Sequence, residues 1–137
     1  MTTVTTLGFP RIGAKRELKR ALEAYWRGET DADALQQAAR GLRETHWTLQ
    51  RDAGATQVPC NDFSLYDHVL DTAFGFDALP ERYRALADAD PLAGYFALAR
   101  GHQKGGVDLH ALEMTKWFDT NYHYLVPELH AGQRFRL

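Results

Sequence analysis

Thr3-Val4-Thr5-Thr6-Leu7-Gly8-Phe9-Pro10-Arg11-Ile12-Gly13 is a run of β-branched and apolar residues that ends in a proline and glycine break. Branched side chains suit a pleated surface, and Pro10 cannot donate to a ladder, so the pattern predicts a strand over 3–9 that delivers into a loop. Directly after it, Leu18, Ala21, Leu22 and Tyr25 recur at i, i+3, i+4 and i+7. That spacing predicts a helix over 15–27 with one apolar face, closed by Gly28. A strand followed by a loop and a helix is the start of an α/β arrangement.

Further along, Thr30-Asp31-Ala32-Asp33 is a helix-opening pattern, with Thr30 as the cap and an acid three residues on. Leu35, Ala38, Ala39, Leu42, His46 and Leu49 then keep helical spacing to Arg51 and Gly54, a cationic last turn and a stop. Gln57-Val58-Pro59-Cys60 reads as a brief strand, and Asn61 to Ser64 as a polar loop before a helical turn with Tyr66, His68, Val69 and Leu70. Asp90-Pro91 caps and starts a helix that runs through Leu92, Tyr95, Phe96 and Leu98 to Gly101. Gly101 to Gly106 is expected as a loop. Glu113 to Trp117 is compatible with extended chain, and Pro127 stops the element carrying Tyr122 to Val126. Arg134-Phe135-Arg136-Leu137 alternates as a strand does, with no turn signal behind it, which is the pattern expected of a cut through a domain. The resulting order is strand, helix, helix, strand, helix, strand, without repeats or a linker long enough to separate two domains.

The composition narrows the function classes. The chain has 137 residues, 45% of them hydrophobic and 25% charged, which suits a packed domain rather than disorder. A formal net charge of -2 supplies no global field toward nucleic acid or an anionic membrane. The opening Met1 to Thr6 lacks the basic and apolar parts of a secretory leader, and no stretch is apolar for the length of a membrane span. Cys60 is the only cysteine, so an internal disulfide and a multi-thiolate zinc site are both excluded, and a reducing cytoplasm fits.

Arg16 and Lys19, three apart at the start of the first helix, reach one region of surface. With Gly13 and the helix N-terminus they could hold a carboxylate or phosphate. The competing reading is a solvated face in which Glu23 pairs with Lys19 and Arg27, and spacing alone favours it. Six histidines, at 46, 68, 102, 110, 123 and 130, show no metal-ligand spacing, and His46 on an apolar stripe reads as a packed core residue. Asp62, Asp67 and His68 could orient a substrate or act as acid and base. Loop capping by Asp62 and a helix start at Asp67 is the reading the pattern prefers. Trp117, Phe118, Tyr122 and Tyr124 around Lys116 suit either a core or a wall against a flat heterocycle.

Three segments together are more specific. Leu7-Gly8-Phe9-Pro10-Arg11-Ile12-Gly13 with Arg16-Glu17-Leu18-Lys19, then Asp62-Phe63-Ser64-Leu65-Tyr66-Asp67-His68-Val69-Leu70, then Glu113-Met114-Thr115-Lys116-Trp117-Phe118-Asp119-Thr120-Asn121-Tyr122-His123-Tyr124, resemble in order and spacing the amino-terminal region of cobalamin-independent methionine synthases. The resemblance covers essentially the whole chain. It implies a partial (β/α) TIM-type barrel over 1–137, the first portion of the amino-terminal barrel of a two-barrel enzyme, since a closed barrel needs about 250 residues.

The family moves the methyl group of 5-methyltetrahydropteroyltriglutamate to homocysteine to form methionine. By resemblance, Arg16, Glu17, Leu18, Lys19 and Lys116 bind the folate, and carboxylates of the triglutamate tail are a suitable partner for Arg16 and Lys19. The family's zinc activates the homocysteine thiol, and its ligands and the general acid belong to the carboxy-terminal barrel. The implied metal is therefore zinc in a longer protein, with no metal ligand and no catalytic residue in these 137 residues, and the isolated chain is expected to be inactive. A stand-alone folate- or anion-binding module, or a subunit of a separate zinc-bearing chain, are the alternatives.

Overall fold

The computed structural model describes residues 2–136. Met1 and Leu137, the ends of the leader and terminal-strand readings, lie outside them. The chain forms two compact units, Met1–Leu65 and Tyr66–Leu137. The boundary falls inside the Asp62 to Leu70 motif.

The first unit is built on two packed helices, α1 (Glu17–Trp26) and α2 (Ala32–Asp52). Leu18 and Leu22 form the buried stripe of α1, and Leu35, Ala39 and His46 that of α2. Burying a leucine fully contributes about 1.5–3 kcal/mol, so Leu18 and Leu35, each 1% exposed, fix the packing of this unit. The cap of α2 is Asp31, whose side chain accepts from the Ala34 N–H at 2.8 Å, rather than Thr30. The register of the stripe's end also differs from the expectation: Leu49 is 52% exposed and Gln50 is buried. Continuing from His46 by four residues keeps the side chain on the buried line, whereas three carries it off by the time the helix ends. Gln50 is tolerated there because its amide donates to the His46 carbonyl and accepts from the Thr6 hydroxyl.

Residues 3–9 and 57–60 are not strands. Val4 makes only a local clasp, its N–H donating to the Thr56 hydroxyl and its carbonyl accepting from the Thr56 and Gln57 N–H groups. A strand needs a continuing ladder as well as suitable side chains, and none is present.

The second unit begins with α3 (His68–Gly75), α4 (Glu81–Ala89) and α5 (Pro91–Arg100). The α5 reading holds in detail: the Asp90 side chain accepts from the Ala93 N–H, Pro91 stands in the first turn, and Gly101 ends the helix at φ 77°. Helix α4 is absent from the sequence reading. Two hairpins follow, β1 (His102–Lys104) with β2 (Val107–Leu109), and β3 (Met114–Lys116) with β4 (His123–Leu125), both antiparallel. The expected loop at 101–106 is thus a hairpin, turned by Gly105 and Gly106 at φ 62° and 80°, a two-residue connection that favours glycine at both positions. Residues 134–136 form no strand; the Arg136 N–H donates singly to the Phe76 carbonyl. The chain is therefore mixed helix and strand, with helices first and hairpins after, in place of the alternating order expected from the sequence.

Candidate functional site

The basic helix start belongs to the first unit. Gly13, at φ 85°, turns the chain so that the Ile12 carbonyl accepts from the Leu18 N–H and the Gly13 carbonyl from the Arg16 N–H, both at 3.1 Å. The Glu17 carboxylate folds back against this turn and accepts from the Lys15 N–H at 2.9 Å. Hydrogen bonds from its own N–H and from that of Lys15 hold its carboxyl below the ordinary range. Glycine suits this φ, and a Cβ on Gly13 would stand 2.2 Å from Glu17 Oε2 and push the carboxylate out of the turn.

These contacts alter the reading of the helix N-terminus as an anion cradle. Of its first N–H groups, that of Leu18 is taken by the Ile12 carbonyl and that of Glu17 by its own carboxylate, so the side chains of Arg16 and Lys19 carry more of any attraction for an anion. Arg16 caps α1 in the left-handed region, φ 61° and ψ 36°, an uncommon conformation for a residue other than glycine. Its guanidinium is exposed and makes no ion pair among the described residues. Lys19 Nζ lies 3.5 Å from Glu23 Oε1, the pairing expected of a surface face. Arg27 pairs with Glu29 instead of Glu23, through two hydrogen bonds of 2.7 and 2.9 Å. The Leu18 side chain is in the core, so its role is to anchor the turn that carries its neighbours.

Lys116 belongs to the second unit. It ends β3 opposite His123, exposed and without an ion pair among the described residues. The hairpin closes through the Trp117 N–H, which donates to the Tyr122 carbonyl at 2.8 Å. Phe118 follows at φ 47° and is 81% exposed. The Trp117 ring meets Phe118 and Tyr124 edge to face, at 5.2 and 5.7 Å between centroids. Lys116 therefore stands beside an exposed aromatic ledge rather than over a core, an arrangement that offers charge and flat apolar surface together.

Asp62 and Asp67 hold local backbone structure, while His68 does not join them. Asp62 accepts from the Phe9 N–H at 2.7 Å and holds the Gly8 turn, where a Cβ would meet it at 3.0 Å. Asp67, 3% exposed, caps α3 by accepting from the Leu70 N–H at 3.0 Å. His68 is exposed and lines an apolar groove with Val69, Phe76, Pro127 and Phe135, whose walls include no lysine or arginine. His46 is buried and stacks on Phe9 at 4.4 Å. Among the described residues no three His, Cys, Asp or Glu side chains converge, and Cys60 is exposed. No described helix is long and apolar enough to cross a membrane.

Sequence reasoning missed the partners that Asp67 gathers from the β3–β4 hairpin, Tyr122 of the turn and Leu125 of β4. They lie 55 and 58 residues away, and no local pattern signals them.

Residues 3–137 match the family described as "Cobalamin-independent synthase, N-terminal domain". The chain is 77% identical over 137 residues to a protein of Xylella fastidiosa (strain 9a5c) named 5-methyltetrahydropteroyltriglutamate--homocysteine methyltransferase, covering all of this chain and 18% of the relative. Proteins of the same name from Caulobacter vibrioides and Parvibaculum lavamentivorans are 57% and 56% identical, over 98% and 100% of this chain and 19% and 18% of their own lengths. The chain thus spans under a fifth of the length of the curated relatives it matches.

Proposed function

Since the chain belongs to the family of cobalamin-independent synthase N-terminal domains, we propose that it is the folate-binding portion of a longer methyltransferase, one that transfers the methyl group of 5-methyltetrahydropteroyltriglutamate to homocysteine. The observation that carries this reading is the state of the two cations in the matching motifs. Arg16 and Lys116 are exposed and lack ion pairs among the described residues, so their charge is available to an anionic ligand. A triglutamate tail supplies several carboxylates, and guanidinium with carboxylate is among the stronger charged hydrogen bonds. Lys19 would add a third charge after parting from Glu23.

In this reading the 137 residues contribute to a (β/α) barrel completed by sequence beyond them. Zinc, homocysteine and the general acid are engaged elsewhere in the longer protein, which would work in the cytoplasm. The role of this chain's own residues is to bind and orient the tail, leaving thiol activation to groups outside it.

Isothermal titration with the triglutamate and the monoglutamate of 5-methyltetrahydrofolate, at low and moderate salt, tests the proposal. Triglutamate binding that weakens with salt, with much weaker monoglutamate binding, is the expected result. Equal affinity for the two in the full-length enzyme would remove tail recognition from this chain.

A further inference from the structure

Asp67 is a buried carboxylate that the binding role leaves unused. Its Oδ2 accepts from the Leu70 N–H at 3.0 Å and from the Leu125 N–H at 3.1 Å, while its Oδ1 accepts from the Tyr122 hydroxyl. One side chain thus joins the start of α3 to both the backbone of β4 and the residue that closes the β3–β4 turn. Tyr122 in turn receives the Trp117 N–H on its carbonyl, and Trp117 is the neighbour of Lys116. Leu125, 1% exposed, seals the inner end of β4, so the hairpin is held at its base by packing and near its tip by the carboxylate. A three-residue strand pair standing alone is marginal, and these bonds from outside the hairpin supply the rigidity it lacks.

We propose that Asp67 is a positioning residue for Lys116, holding the hairpin so that the ammonium meets the carboxylates of the ligand. The inference rests on the folate-binding reading above. A carboxylate has two acceptor oxygens and can accept all three donors at once. An asparagine can keep the two backbone N–H groups on its carbonyl oxygen only by turning its NH2 toward the Tyr122 oxygen, which reverses that bond and exchanges a charged acceptor for a neutral donor. Weakening this link loosens the hairpin without touching the ligand.

The test compares Asp67→Asn, Tyr122→Phe, Lys116→Ala and the two double variants with Lys116→Ala in the full-length methyltransferase, reading kcat and KM for the triglutamate. Tyr122→Phe removes one hydrogen bond and little volume, so it keeps the test informative if Asp67→Asn fails to fold. Loss of about one hydrogen bond's net worth corresponds to a KM rise of about fivefold, with kcat nearly unchanged. In the Lys116→Ala background the same changes are expected to add nothing further, because their effect passes through Lys116. An unchanged KM in Tyr122→Phe, or a loss that simply adds to that of Lys116→Ala, would overturn the positioning role while leaving folate binding intact. A Lys116→Ala variant with normal triglutamate KM would instead overturn the folate reading and this inference with it.

Discussion

Gly94 of α5 lies so close to Ala87 of α4 that a Cβ added to it would stand 2.5 Å from the Ala87 Cα and 2.7 Å from its Cβ. The nearest atoms are backbone or directly attached to it, so a side chain cannot swing aside. Alanine is the better helix former by about 1 kcal/mol, yet overpacking of a core contact costs about 1–3 kcal/mol and requires the two helices to part. Gly94→Ala is therefore expected to lower the urea midpoint of the chain. An unchanged or raised midpoint would mean that α4 and α5 are not this closely packed in solution.

Gly41 supplies the opposite case. It lies in the interior of α2, without a positive φ, and a Cβ there would meet nothing within 4 Å. Gly41→Ala is expected to stabilise the chain by about 0.4–1 kcal/mol, chiefly by restricting the unfolded backbone. The pair of midpoints, one lowered and one raised, separates packing from propensity in a single experiment.

The contrast between readable and unreadable features follows the range of the interactions. Asp90, Pro91 and Gly101 mark α5 because a cap, a fixed φ and a left-handed stop act within a few residues. Helix α4 has no such marks: Pro80 precedes it without a side-chain cap, and its buried residues Tyr83 and Ala87 span barely one turn. The Gly105-Gly106 turn was legible in principle, since paired glycines between short extended runs are a hairpin signal. Residues 3–9 mislead because β-branched side chains report suitability for a sheet, while the pairing partner is set by tertiary structure. The same division holds at the site. The cations of the motifs are visible in sequence, but the grip of Asp67 on β4, 58 residues away, depends on a contact that the chain's linear order conceals.

Arg16 holds a left-handed conformation that costs an L-residue about 1–2 kcal/mol and costs glycine almost nothing. Arg16→Gly is accordingly expected to be more stable than the parent, and Arg16→Ala is not. Both variants lose the guanidinium, so both are expected to weaken triglutamate binding. Equal stabilities for Arg16→Gly and Arg16→Ala in urea unfolding would show that the backbone leaves this conformation.

The Glu17 carboxyl is held low chiefly by hydrogen bonds from its own N–H and that of Lys15, with smaller help from the charges of Arg20 and Lys15. Its folded value lies below the ordinary 4.5, so its stabilising contribution is fully present above that pH. The contribution is lost as pH falls through the lower folded value. Glu17→Gln is expected to be less stable than the parent at neutral pH and to approach it under acid conditions. Parallel urea midpoints across the whole range would show that the carboxylate does not hold the Gly13 turn.

Lys19 and Arg16 differ in how free their charge is, and this sets the last expectation. Lys19 is already shared with Glu23 at 3.5 Å, with both side chains roughly half exposed, whereas Arg16 has no such partner among the described residues. An exposed pair of this kind is worth only about 0.3–0.5 kcal/mol, so a polycarboxylate ligand can displace Glu23 at small cost. Removing the competitor should nonetheless help: Glu23→Gln takes a negative charge from beside Lys19 and releases the ammonium. Triglutamate binding in the full-length enzyme is expected to tighten about twofold at low salt, and the gain to fade at high salt as the charges are screened. Lys19→Ala should cancel that gain, since Glu23 acts through the lysine it occupies. A Glu23→Gln gain that persists in the Lys19→Ala background would assign the effect to general repulsion between Glu23 and the ligand, and would remove Lys19 from the binding surface.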